Sequence, residues 1–183
     1  FAGWRRQFGP DMRMLVVQLP NYETVAERPV AAGWAEVRDQ ERRAVAADGN
    51  AALGPTLDVG QRDNLHPPDK LPVGLRLAMA AQGKPMPLPE RAVRQGDGVR
   101  VSFTGLEGGL HAWSGPPLGV ELCGVAQETC RYATARVEGD ALLIADDGQP
   151  ATRVRYAWAD APVVNLFDAR PLPVPGFELE IAQ

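Results

Sequence analysis

Apolar and polar positions follow two regimes along this chain. Met12 to Leu19 (MRMLVVQL) is a short aliphatic run stopped by Pro20 and Asn21, the pattern of a buried strand. From Ala31 to Asp48, the residues Trp34, Val37, Glu41, Ala44 and Val45 recur near helical spacing. Gly and Pro are absent between Trp34 and Asp48, and Gly49-Asn50 closes the segment, so a helix is predicted. Ala51 to Val59 gives a second short apolar segment, followed by a polar loop from Gly60 to Pro68. A second helix is expected from Asp69 to Gln82, with Asp69 as a possible N-cap and Pro72 tolerated in the first turn. Strand, helix, strand, helix with connections of this length predicts a parallel sheet covered by helices, whose ligands collect at the carboxyl ends of the strands. The loop carrying Asp63 and His66 lies at such an end.

Beyond the Pro-rich stretch Lys84 to Pro89 (KPMPLP) the period changes to that of short strands: Val99 to Phe103, Leu118 to Val125, Ala133 to Val137, Ala141 to Ile144 and Thr152 to Trp158. Turn signals such as Gly96-Asp97-Gly98, Glu138-Gly139-Asp140 and Asp146-Asp147-Gly148 separate several of them, which predicts antiparallel β structure. The Pro-rich stretch Leu166 to Phe177 is expected to run over the surface of the first half. The boundary between the two regimes divides the chain into residues 1–85 and 86–183.

Composition narrows the classes. The chain has 183 residues, 45% hydrophobic and 23% charged, enough for a real core in one or two small domains. With a net charge of -4 and Lys and Arg spread along the chain, it has no electrostatic footprint for nucleic acid. No apolar run approaches the ~20 residues that cross a bilayer, so no membrane span is expected. The first residues, Phe1-Ala2-Gly3-Trp4-Arg5-Arg6, lack the apolar segment of a signal peptide, and the chain reads as a carboxy-terminal piece of something longer.

Only two histidines are present, so the context of each is informative. His66 follows Asp63 at spacing D-x-x-H in a loop after a buried strand. An Asp three residues before a His on a turn can approach Nδ1 and fix the tautomer, leaving Nε2 as a base toward a nucleophilic hydroxyl. Asp58, at the strand end, is the competing carboxylate, with turn hydrogen bonding as its more ordinary role. His111 has no acid at a suggestive spacing and is assigned no role.

The stretch Thr56-Leu57-Asp58-Val59-Gly60, then Asp63-Asn64-Leu65-His66-Pro67-Pro68-Asp69-Lys70 and Val73-Gly74-Leu75-Arg76-Leu77-Ala78, resembles the block carrying the catalytic Asp and His in sialate O-acetylesterase-like enzymes, a branch of the SGNH hydrolases. Trp4-Arg5 with Gln7, Val17-Gln18-Leu19 with Asn21-Tyr22, and Trp34-Ala35-Glu36-Val37-Arg38 with Gln40 resemble the same family in the same order. So do Val154-Arg155-Tyr156-Ala157-Trp158, Asn165-Leu166, and Leu172-Pro173 with Pro175 and Phe177. The resemblance implies an α/β fold: residues 1–85 as the carboxy-terminal part of an SGNH-type three-layer parallel-sheet domain, followed by a β-rich antiparallel domain over 86–183. It also implies hydrolysis of acetyl esters on sugars with no metal and no organic cofactor, His66 as general base and then acid, and Asp63 as its orienting carboxylate.

One part of the family pattern is missing. The only serines are Ser102 and Ser114, and neither sits in a nucleophile-elbow sequence. The glycine-flanked serine and the oxyanion-hole residues are expected on an amino-terminal half of the same precursor, present as a second chain. Residues 1–183 alone are expected to be inactive and poorly folded, with an unpaired strand edge.

The expected substrate is an acetylated carbohydrate, either sialic acid or a plant polysaccharide such as xylan or xyloglucan, and the expected location is periplasmic or secreted. Gln18 and Trp113 are candidate substrate contacts, with packing as the competing role of each. Lys70 and Arg76 are left outside the site as solvated or paired residues. Cys123 and Cys130 are read equally as a disulfide or two free thiols, and a lone pair of cysteines does not make a zinc site. The competing function is a non-catalytic β-rich carbohydrate-binding or interaction module.

Overall fold

The computed structural model describes all residues, Phe1–Gln183, and it is mostly β. Helix accounts for 19% of the chain. Helix α1 (Ala2–Phe8) is followed by β1 (Met14–Val17), α2 (Gly33–Ala46), β2 (Ala51–Gly54) and α3 (Leu71–Ala81). Nine strands come next: β3 (Leu88–Gln95), β4 (Gly98–Thr104), β5 (Leu110–Ala112), β6 (Val120–Cys123), β7 (Arg131–Tyr132), β8 (Ala135–Glu138), β9 (Ala141–Ala145), β10 (Arg153–Tyr156) and β11 (Leu166–Asp168). The last strand is β12 (Phe177–Ala182).

This architecture overturns the expected SGNH-type three-layer parallel-sheet domain. The predicted strand, helix, strand, helix order is present, but its parallel sheet consists of β1 and β2 alone, two strands of four residues each, in register from Met14 opposite Ala51 to Val17 opposite Gly54. The dominant element is an eight-stranded curled sheet of order β7-β6-β10-β12-β3-β4-β9-β8, antiparallel except where β12 runs parallel to β3. Local periodicity reports whether a segment is strand or helix; how many strands join one sheet depends on long-range pairing, which periodicity does not carry.

The tail is a second correction. Leu166, Leu172, Val174 and Phe177 are at most 2% exposed, so the Pro-rich stretch is core rather than surface cover. Proline lacks only its N–H, and the carbonyls and apolar side chains between the prolines still pack. β11 pairs with β5, and Val174 N–H donates to the Leu166 carbonyl at 3.0 Å.

The main core lies inside the curl of the large sheet. Val99, Val101, Leu142, Ile144, Val154, Tyr156 and Phe177 form it, and Leu57, from the loop after β2, is inserted into it with no exposed surface. That insertion carries the β2–α3 loop onto the β body.

A second lock comes from α2. Arg38, fully buried, donates to the carbonyls of Leu19 (3.0 Å), Pro20 (2.6 Å), Ala159 (2.7 Å) and Asp160 (2.5 Å). Burial holds its guanidinium down at about 10, opposed by Asp160 and Glu41, so it remains charged at neutral pH.

The sheet face opposite the core carries a charged row. Glu121 on β6 stands opposite Tyr132 on β7 and Arg155 on β10, and Arg155 stands opposite Glu178 on β12. Directly opposed residues of antiparallel strands share a face, which is why the four line up. Burial pushes the Glu121 carboxyl up to about 7; Arg155 opposes the rise and Glu178 adds to it.

Unfolded, this acid titrates at its ordinary value near 4.5. Between that value and about 7 the folded state keeps a proton that the unfolded state has lost, so stability falls as pH rises through the window. The full cost, about 3 kcal/mol at 1.36 kcal/mol per unit, is present above it. Glu121→Gln is therefore expected to raise the melting temperature at pH 8 and to do so much less near pH 4.5. An equal gain at both pH values in calorimetry would contradict this.

Candidate active site

The loop between β2 and α3 builds the polar wall of the candidate site. β2 ends at Gly54, and Pro55, Thr56 and Leu57 are buried, anchoring the loop before it emerges at Asp58. Thr56 Oγ1 donates to the Gln18 carbonyl, and Gln18 N–H donates to the Gly54 carbonyl at 3.0 Å, so the end of β1 and the start of the loop are tied together.

Gly60 then passes so close to Asn21 that a Cβ there would stand 1.8 Å from Asn21 Oδ1 and 2.3 Å from its carbonyl oxygen. Only glycine permits that approach. The chain turns at Gln61 to Asn64, with Asn64 N–H donating to the Gln61 carbonyl at 3.1 Å, and Asn64 Oδ1 accepts from His66 N–H at 2.9 Å.

These segments border an open cleft of about 1160 Å³, lined on its polar side by Asn21, Glu23, Asp58, Gln61, Arg62 and Asp63. The facing wall is Ala161 to Val164. Glu23 N–H donates to the Arg62 carbonyl at 2.8 Å across the cleft's edge. Asn21 Oδ1 is buried without a hydrogen-bond partner in the protein.

Asp63 and His66 are both exposed, and no hydrogen bond or ion pair joins them. Asp63 lines the cleft, whereas His66 lies beyond its lining on the same loop. Asp58 is engaged elsewhere. Both of its oxygens accept from the Arg76 guanidinium, at 2.6 and 2.7 Å, and Arg76 also donates to the Pro55 carbonyl at 2.9 Å. Arg76, only 8% exposed, is the paired structural residue expected from the sequence, and it pins α3 to the start of the loop.

The remaining candidates separate. Gln18 is fully buried, with both amide atoms unpartnered, and is not part of the cleft lining. Trp113 is half-exposed and stacked on Phe167 at 4.7 Å between ring centroids, on a wall apart from the cleft. Ser102 Oγ donates to Glu90 Oε2 at 3.3 Å, and Ser114 sits in an exposed turn at φ 63; neither bonds to His66. His111 Nε2 is tied to the Gly108 carbonyl at 2.9 Å. Cys123 and Cys130 form a disulfide across the loop from β6 to β7, which resolves the even reading of that pair.

Sequence reasoning missed Asn21 as a cleft residue, and missed Glu121 altogether. Asn21 was legible only as part of a matching block, and Glu121 stands in a strand whose two faces are both buried, so alternation gave no sign of it.

No family model matches this chain, and neither does any curated protein. Among solved structures, a carbohydrate acetylesterase from Xanthomonas citri is similar to it at TM-score 0.82 and 28% identity, over 96% of this chain and 43% of that one. A match to the surface layer protein SbsC, domains 1–6, at TM-score 0.43 and 12% identity, covers 81% of this chain and 22% of that one and carries no argument. The fold is thus carbohydrate esterase-like, and the chain spans less than half the length of the esterase it matches.

Proposed function

We propose that this chain is the His- and Asp-bearing part of a serine esterase that removes O-acetyl groups from carbohydrates, sialic acid or an acetylated plant polysaccharide such as xylan or xyloglucan. The carrying observation is the likeness of nearly the whole chain to part of a carbohydrate acetylesterase. The D-x-x-H turn beside the polar cleft supports it. In this reading residues 1–85 bear the site block and 86–183 are the β-rich accessory part. His66 takes the proton of a serine supplied by an amino-terminal half and returns it to the leaving sugar hydroxyl, and Asp63 orients the imidazole once that half is docked.

The uncovered first segment supports such a partner. β1 pairs only with β2, leaving its other edge open, and Leu15 and Val17 on it are exposed, as are Trp4 and Phe8 of α1 and Leu71 and Leu75 of α3. An open apolar edge of this kind is a template for pairing with another chain. The Cys123–Cys130 disulfide supports a periplasmic or secreted setting, since such bonds persist in oxidising compartments.

Native mass spectrometry of the protein as its host makes it, coupled to an acetate-release assay, tests the reading. The expected result is one complex holding this chain and a serine-bearing chain or segment, active on an acetylated glycan. The absence of Asp63–His66 contact favours the competing reading, a carbohydrate-binding module without catalysis; a complex that binds glycan and releases no acetate would establish that one instead.

A further inference from the structure

The small ribbon of β5 and β11 carries an aromatic group on its outer face. Leu110 and Ala112 of β5 pack on the core, so by strand alternation His111 and Trp113 face outward. Phe167 of β11 stands opposite His111, and directly opposed residues of antiparallel strands share a face, so it faces outward too. It is nevertheless only 8% exposed, because the Trp113 indole lies over it, with 4.7 Å between ring centroids and 20° between planes. The indole itself is 48% exposed: one face rests on Phe167 and the other is open to solvent.

The backbone under this ring is pinned. Trp113 N–H donates to the Asn165 carbonyl at 3.0 Å, and the Asn165 side chain donates to the carbonyls of Trp113 (3.1 Å) and Pro116 (2.8 Å) and accepts from Leu118 N–H at 2.9 Å. Ser114 is held at φ 63, a conformation that persists in a non-glycine residue only where the surroundings impose it. The ring is therefore preorganised, and a ligand placed on it pays little to order it. From Gly108 to Gly119 the chain has no Asp, Glu, Lys or Arg, so a charged ligand finds no counter-ion on this segment. Hydrogen-bonding groups flank the ring: the exposed Ser114 hydroxyl, and His111, whose Nε2 donates to the Gly108 carbonyl and whose Nδ1 is left as an acceptor when the imidazole is neutral. A flat apolar face with uncharged donors and acceptors beside it matches a neutral pyranose, which presents C–H groups on its face and hydroxyls around its rim. Asn165, which pins the loop, directly follows the Ala161 to Val164 wall of the cleft, so one continuous segment carries both.

We propose that Trp113, backed by Phe167 and flanked by His111 and Ser114, is a glycan-binding platform outside the cleft, on which one pyranose ring of a neutral polysaccharide stacks. It anchors the polymer through an unmodified sugar and takes no part in the cleavage of the ester. The assignment rests on the carbohydrate reading of the chain and holds with or without catalysis in the cleft.

Titration calorimetry on the protein as its host makes it tests the platform, with xylohexaose and cellohexaose as probes, both neutral and both unacetylated so that no ester is turned over. Binding of at least one is expected. Trp113→Ala should weaken it by at least about tenfold, and Trp113→Tyr, which keeps an aromatic face, by only about threefold. A second measurement needs no variant: oxidation by N-bromosuccinimide, mapped by peptide mass, should modify Trp113 in the free protein and spare it when the oligosaccharide is bound. Failure of both probes to bind, an affinity unchanged by Trp113→Ala, or a Trp113 already protected without sugar overturns the platform, the last because a protein segment would then cover the ring. Failure of the esterase reading is separately visible, as absence of acetate release from an acetylated glycan.

Discussion

Replacing His66 by alanine in the assembled protein is expected to lower turnover on an acetylated sugar by roughly four to six orders of magnitude, the usual cost of removing a triad member. The side chain is exposed and its only hydrogen bond is made by its backbone N–H to Asn64 Oδ1, so folding should be almost unaffected. Turnover within tenfold of the unmodified protein would sink the assignment. Asp63→Asn should cost less, because an amide keeps the geometry while favouring the wrong tautomer. Asp58→Asn discriminates between the two carboxylates. Asp58 is held by the Arg76 guanidinium, so its loss should appear as reduced stability, with kcat largely kept. A larger fall in kcat for Asp58→Asn than for Asp63→Asn would make Asp58 the partner of the imidazole.

Arg38→Met is expected to cost about 3–5 kcal/mol of stability, because it strands buried carbonyls of Leu19, Pro20, Ala159 and Asp160 whose shared donor is gone. Methionine preserves most of the apolar stem, which isolates the hydrogen bonds from the packing. For a chain of this size the melting temperature should drop by roughly 10 °C, at 2–4 °C per kcal/mol. The effect should reach the cleft, since residues 159–160 lead directly into its Ala161 to Val164 wall. A drop of less than about 3 °C would mean that water replaces the guanidinium at little cost.

Several features were legible in the sequence for local reasons. The helix after Trp34, the strands before and after it, and the short strands from Val99 to Trp158 are set by apolar periodicity and turn residues, forces that act over a few positions. The D-x-x-H turn was legible for the same reason. β3 and β12 were not. β3 (LPERAVRQ) mixes charge and apolar residues with a register shift between Pro89 and Arg91, and β12 follows a Pro-rich stretch, so neither shows a clean period of two.

By itself the sequence determined the elements other than such irregular strands, the turns, the charge balance and the candidate base, because each depends on neighbours along the chain. Tertiary structure alone decided that β12 enters the middle of an eight-stranded sheet and that the Pro-rich tail is core. It also decided that Asp58 belongs to Arg76 and that Glu121 and Trp158 share a cavity. Each of those outcomes joins residues at least 18 positions apart, and such pairings are chosen by burial and hydrogen-bond satisfaction across the whole body, which no local window contains.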